Sequence, residues 1–332
     1  MTGEHSARRA VLLFAALGVI WGIPYLLIKI AVAELHPTTL VLARVVIASV
    51  IMVPVAMYHG AIPSALRHWR VVLPYALIEI VVPWFFLTRA EQHLSSSLTG
   101  LLIAGTPIVG VVIALASRRS EHLGLRGGIG LAVGLAGVAL LVGFESGATG
   151  GGGELLAVGE MAIVVVCYAI GPVIMARQLS AVPATGVIAV SMVAATAVYA
   201  VPGLLHAPAQ WPSAPVTLSV VALGVVCTAV AFLLFFALVA EVGAVRTTLI
   251  TYLNPAVAVL AGAVVLRERI TVLTMVGFAA VLAGSALASG QRRRPAADDA
   301  AGASTQGSLP VQGSLPVAQG PPPPDRSETI AI

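Results

Sequence analysis

Residues His93 to Gly143 recur as Glu241 to Gly290, and this duplication limits what the chain can fold into more than any other feature. Aligning the two stretches sets Pro107 on Pro255, and Thr99, Leu101, Val109 and Val111 on Thr247, Leu249, Val257 and Val259. After a one-residue gap Glu121 falls on Glu268, Gly130 on Gly277, Leu135-Ala136-Gly137 on Leu282-Ala283-Gly284, and Gly143 on Gly290. A chain that repeats itself in this way is two copies of one structural unit, and each copy must be able to build the same fold.

The medium for that fold follows from charge. Only 10% of the 332 residues are charged and 58% are hydrophobic, where a soluble domain carries roughly 25% charged residues. Apolar runs of about 20 residues, the length that crosses the hydrocarbon core, occur at 10–33, 38–58, 70–90, 95–117, 124–143, 154–177, 184–205, 215–240, 244–266 and 271–290. Open sheets cannot satisfy their backbone in lipid. The expected fold is therefore an all-α integral membrane protein of ten transmembrane helices. The first run ends in Ala31-Val32-Ala33, which imitates a signal cleavage site, but it is too long for a signal and carries Lys29, so it reads as a retained span.

Five spans per repeat is an odd number, so the two halves enter the membrane with opposite orientation, an architecture common among secondary transporters. The expected organisation is a cytoplasmic N-terminus (1–9), a first five-helix repeat (10–143), a Gly-rich linker (144–153), a second repeat (154–290) and a disordered, Pro-rich cytoplasmic tail (291–332). With the N-terminus inside, twelve arginines of the span-flanking segments fall on the cytoplasmic side and three, Arg89, Arg267 and Arg269, outside. That bias favours both termini in the cytoplasm.

Several function classes are excluded or disfavoured. Lys29 is the only lysine and follows no glycine turn, so the chain has no P-loop of its own. Cys167 and Cys227 lie in apolar runs and read as reduced packing residues. The seven histidines fall at helix ends or in loops without a zinc-binding spacing, and Ser95-Ser96-Ser97 beside His93 lacks the rest of a hydrolase triad. No catalytic residue, metal or cofactor is expected. The net charge of +4 comes from basic residues at span ends, which speaks for membrane orientation and against nucleic-acid binding.

Trp21-Gly22 followed by Lys29-Ile30, then Pro37 and Arg44, and later Asn254-Pro255, Leu266-Arg267-Glu268-Arg269, Gly277 and Gly284, form an ordered set. With the ten spans and the duplication, this set resembles the EamA family of the drug/metabolite transporter superfamily over residues 10 to 290. The resemblance implies a bacterial plasma-membrane carrier that exports amino acids, metabolites or drugs, coupled to a proton or another ion. It departs from symmetry where Tyr168-Ala169 replaces Trp21-Gly22 and Val190 stands in place of Arg44. A channel, or a membrane-embedded lipid-handling enzyme or scaffold, is the alternative.

Ionisable residues inside spans carry the sharpest expectations, because a charge in lipid is costly and tends to face a cavity or a partner. Glu79 sits near the middle of its span and is expected to take up a proton or contact a cationic substrate. Lys29 and Glu160 lie nearer the outer ends, where lining a pathway and snorkelling compete. Arg44 is expected to pair with Glu34, Glu79 or Glu160. If Lys29, Arg44, Glu79 and Glu160 converge, they form a mixed-charge site suited to a zwitterion. Trp21, Tyr252 and Asn254 are candidate cavity residues, the last two because they precede Pro255, which frees a backbone carbonyl. Pro107 and Pro255 are expected to kink helices beside the cavity. The glycine rows of the fifth and tenth spans read as packing or dimerisation faces. Glu121 and Glu268 read as carboxylates near the positive ends of the helices that follow them.

Overall fold

The computed structural model describes residues 2–116, 125–149, 152–243, 247 and 250–289. Glu121 and the tail from 291 onward lie outside the described residues. Every element is helical: α1 (Thr2–Gly22), α2 (Pro24–Ala31), α3 (Pro37–Tyr58), α4 (Ile62–Arg67), α5 (Trp69–Ala76), α6 (Val82–Ala90), α7 (Ser96–Ile103), α8 (Thr106–Ala116) and α9 (Leu125–Thr149) build the first half. The second holds α10 (Gly152–Gln178), α11 (Ala184–Leu205), α12 (Ala214–Gly224), α13 (Ala231–Val242), α14 (Ile250–Val265) and α15 (Val272–Ser289). Between α5 and α6 runs a π-helical turn, π1 (Leu77–Val81), and between α12 and α13 another, π2 (Val225–Val230). Continuous helical stretches combine into eight spans of 18 residues or more, and α14 and α15 supply two shorter ones.

The breaks have covalent causes. Pro24 opens α2 directly after the α1 break at Ile23, because proline cannot donate the hydrogen bond that would continue α1. Ala104 and Gly105 separate α7 from α8, with Pro107 in the first turn of the new helix. The second half answers differently. Pro172 and Pro255 lie inside the unbroken helices α10 and α14.

Packing follows the duplication. The α6 span leans on α10, and its counterpart pair is α12 on α2; α1 meets α14 as α10 meets α8; α3 pairs with α11, α7 with α14, and α9 with α15. Each contact therefore has a mate in which the halves exchange roles, as two inverted five-helix repeats require. The glycine faces of α9 and α15 are turned on each other: a side chain at Gly284 would run into the backbone of Gly134, and one at Gly137 into that of Gly277. Such close approach is the main attraction open to helices in lipid. On the outside, Val50, Leu155, Val201 and Leu218 are each more than 65% exposed, which suits a surface solvated by acyl chains.

Candidate functional site

The two π-helical turns sit at matching places in the repeats. Leu77 to Val225 is a step of 148 residues (225 − 77), the same step as Pro107 to Pro255 (255 − 107). A π-turn bonds five residues back and inserts one extra residue, which swells the helix and re-aims its side chains. In π1 the Val82 N–H returns to the Leu77 carbonyl, and Pro83, one residue on, has no N–H to restore the α pattern. The Tyr199 hydroxyl of α11 donates to the Val81 carbonyl at 2.6 Å. In π2 the Thr228 hydroxyl donates to the Leu223 carbonyl at 2.8 Å, five residues back.

What the turns present differs. From π1 comes Glu79, whose Oε2 is buried without a hydrogen-bond partner among the described residues. It is admitted by Gly171 of α10, since a Cβ there would occupy the carboxylate's place. Against π2 lies Arg44 of α3, 8% exposed, with Nε donating to Thr228 Oγ1 at 2.9 Å and the guanidinium 3.6 Å above the Trp84 ring. A cation stacked on an indole is stabilised by the ring's negative face, more so when desolvated. Tyr168 is within electrostatic reach of both Glu79 and Arg44, and Tyr25 of Arg44 and Glu91. A band of buried and half-buried polar groups thus joins the two turns.

Other candidate residues lie elsewhere. The Lys29 ammonium donates to the backbone carbonyls of Glu91 (2.7 Å) and Leu94 (2.8 Å), closing the end of α6. Glu160 is paired with Arg89 at 2.8 Å beside a lateral groove of about 640 Å³ lined by Phe86, Leu155 and Ile163. A second flanking groove, about 470 Å³, is lined by Val53, Met57, Ile62 and Val193. Neither reaches Glu79 or Arg44. Arg44 therefore engages Thr228 and Trp84 in place of the expected carboxylates, because the π2 turn brings a hydroxyl to it that sequence spacing does not reveal. Trp21 packs edge-on and tilted against Phe232 and Phe235 of α13, with centroids 6.1 and 5.2 Å apart. Asn254, with its amide oriented to donate, bonds the Gly18 and Ile250 carbonyls at 3.2 and 3.1 Å, tying α14 to α1. Tyr252 is half-buried one turn before Pro255, which is itself buried.

One end of the bundle is capped. Arg267 takes a left-handed conformation (φ 56°), uncommon for a residue with a side chain, and this swings Glu268 back over Gly262. The Glu268 carboxylate then accepts from the N–H groups of Ser96 (2.8 Å) and Ser97 (3.0 Å) and from both hydroxyls. It serves a helix N-terminus, as expected of a loop carboxylate, but that of α7 in the other repeat and not of the α15 that follows it. At the same end Glu34 accepts from the Ser213 N–H and hydroxyl at 2.8 and 2.5 Å, and the His36 and His206 rings stack 4.0 Å apart. The Ser213 donors hold the Glu34 carboxyl below the usual carboxylate range. Lost solvation, and then the His206 ring, lower His36. At the opposite end the described ion pair is Arg9 with Glu241 at 3.8 Å, its arginine largely exposed.

Glu91, Thr228 and Tyr199 carry weight in this geometry but no signal in the sequence. Glu91 reads as an ordinary acid at a span end, and Thr228 meets Arg44 across 184 residues of chain.

Known proteins agree with this architecture. The model of the EamA-like transporter family matches residues 8–143 and again 155–290. The uncharacterized transporter YvbV of Bacillus subtilis (strain 168) is 26% identical over 274 residues, spanning 81% of this chain and 88% of that protein. A chain of known structure superposes with a TM-score of 0.61 at 23% identity over 86% of this chain and 99% of its own, a likeness that speaks for the fold.

Proposed function

The chain belongs to the EamA-like transporter family, and from that premise we propose that it is a secondary carrier exporting a small solute with separated charges, of the amino-acid class. In this reading the Arg44 guanidinium takes the carboxylate and Glu79 the ammonium, with Tyr168 between them. The two five-helix halves rock about the band, exposing it to one side and then the other. The observation that carries the reading is the pairing of a buried cation and a buried, unpartnered carboxylate oxygen on two matched π-turns within reach of one tyrosine. Buried charges are retained where they bind or conduct, and two unlike poles select a solute with two unlike ends.

The proposed setting is the plasma membrane of a bacterium with both termini in the cytoplasm, supported by the arginine bias and by the bacterial relative. The capped end then faces outward and is held shut by Glu268 and Glu34. The transport cycle needs no catalytic residue and no cofactor.

The test is an export screen of overexpressing cells against amino acids, nucleosides, sugars and cationic drugs, followed by counterflow in proteoliposomes. Saturable efflux of amino acids supports the reading. Efflux confined to drugs or sugars overturns the substrate class, and unsaturable conductance overturns the carrier.

A further inference from the structure

Glu91 stands at the junction of α6 and the capped end and is fully buried, with both carboxylate oxygens lacking a hydrogen-bond partner among the described residues. An ionised carboxylate without donors is among the costliest groups to bury, and it survives by taking a proton or finding a partner. The groups that face it leave it little choice. The Lys29 ammonium of α2 is the natural counter-ion, yet it is spent on backbone carbonyls, including that of Glu91 itself. Glu268, in the loop before α15, adds a second negative charge nearby while its own donors come from Ser96 and Ser97. Arg44 of α3 acts on Glu91 only from beyond ion-pair distance, its Nε engaged by Thr228, and Tyr25 of α2 is a neutral neighbour. On the α10 side, Arg89 and His93 face Glu160.

Position ties this residue to the proposed cycle. Helix α6 starts at π1, two residues after the turn's Ile80, and ends at Ala90, so one rigid nine-residue rod links the Glu79 band to Glu91. At 1.5 Å per residue it is about 13 Å long. A tilt of α6 that admits solute at the band must shift Glu91 against α2 and the Glu268 cap.

Resting on the carrier reading above, we propose that Glu91 is the site of the coupling proton. With the capped end closed it is a neutral carboxyl. When solute enters the band from the cytoplasmic side and α6 tilts, its O–H bond breaks, the proton passes to cytoplasmic water, and the carboxylate left behind is met by the Lys29 ammonium released from the two carbonyls. After the capped end opens and the solute leaves, a proton from outer water returns to the carboxylate and the end shuts, so one proton moves inward for each solute exported.

The experiment uses the full-length protein in lipid. Infrared difference spectra at neutral pH should show a protonated carboxyl stretch that is lost in Glu91→Gln and kept in Glu79→Gln. In proteoliposomes with labelled neutral amino acids as probes, Glu91→Gln should lower pH-gradient-driven accumulation about tenfold while leaving counterflow within about twofold, since glutamine mimics the protonated form. An unchanged infrared band in Glu91→Gln, or unchanged pH-driven accumulation, overturns the proposal. Absence of amino-acid counterflow in the wild type overturns the carrier reading instead, and the infrared band then still decides Glu91. If Glu91→Gln does not fold, Glu91→Asp should retain a shifted band, and a band unmoved by that change counts against the site.

Discussion

The π1 and π2 turns share a backbone and differ in chemistry. Both swell their span at the same register of the repeat, and in both a backbone carbonyl accepts from a hydroxyl, Tyr199 from across the bundle in one case and Thr228 from within the turn in the other. Yet π1 projects a carboxylate toward a glycine, while π2 receives an arginine from α3. Position 227, the counterpart of Glu79, is a buried cysteine, and Val190 replaces Arg44. The lesson is that duplication preserved the backbone device, which needs only a shifted hydrogen-bond ladder, and let the side chains diverge. An inverted repeat with identical turns would offer identical poles. Divergence at these few positions makes the band asymmetric.

If π2 matters because it holds Arg44, the largest effect should come from removing that cation. Arg44→Met should weaken half-saturation for an exported amino acid about 100-fold, as expected when one member of a buried, hydrogen-bonded charged set is truncated. Arg44→Lys should rescue little, because an ammonium cannot both bond Thr228 and stack flat on Trp84. Wild-type affinity in either variant, measured by counterflow, breaks the comparison at π2.

A smaller effect is expected at π1 from its glycine partner. A Cβ at Gly171 displaces the Glu79 carboxylate, so Gly171→Ala should reduce affinity about tenfold, near 1.4 kcal/mol, while expression stays normal. The companion change, Ala at a lipid-facing position of α10, should do nothing.

The carbonyl bonds come next. Tyr199→Phe removes the hydroxyl bond to the Val81 carbonyl and should cost about 0.5–1.5 kcal/mol of stability, the net worth of one hydrogen bond. Thermal unfolding in detergent measures it. Thr228→Val should cost stability and also lower affinity through Arg44, so a loss of affinity in Tyr199→Phe as large as in Thr228→Val would erase the distinction between the turns.

Smallest is the effect of pH on the capped end, which touches neither turn. His36 has its folded value lowered below 6.5, so its contribution to closure is complete above that pH and lost as pH falls through the lowered value. Glu34, also lowered, contributes above 4.5 and is lost only in stronger acid. Acidification should first loosen the His36–His206 stack, read as lower amide protection in the 33–36 loop once exchange is divided by the intrinsic rate at each pH, and later the Ser213 bond. Protection that is flat with pH, or higher in acid, contradicts this sign.

Much of this molecule was legible in its residues. Ten spans follow from run length and low charge, and their inversion from the odd number per repeat. The glycine rows of the fifth and tenth spans, read as packing faces, meet each other in the pair α9 with α15. What escaped was local. Nothing in an apolar run marks a π-turn except a proline such as Pro83, and π2 has none. Partners of buried charges escaped as well: Lys29 chose backbone carbonyls, Glu160 chose Arg89, and Arg44 chose a hydroxyl and an indole. Charge alone predicts that an ion in lipid needs company, and only the packing of helices far apart in sequence decides which.

The central claim is that the two turns grip opposite ends of one solute. Its most direct test is counterflow in proteoliposomes of wild type and Glu79→Gln, comparing an exported amino acid with its des-amino analogue. The account predicts that Glu79→Gln weakens half-saturation for the amino acid about 30-fold, the scale of a lost buried charge contact, and leaves the analogue within about twofold. An equal loss for both solutes, or no loss for either, would contradict it.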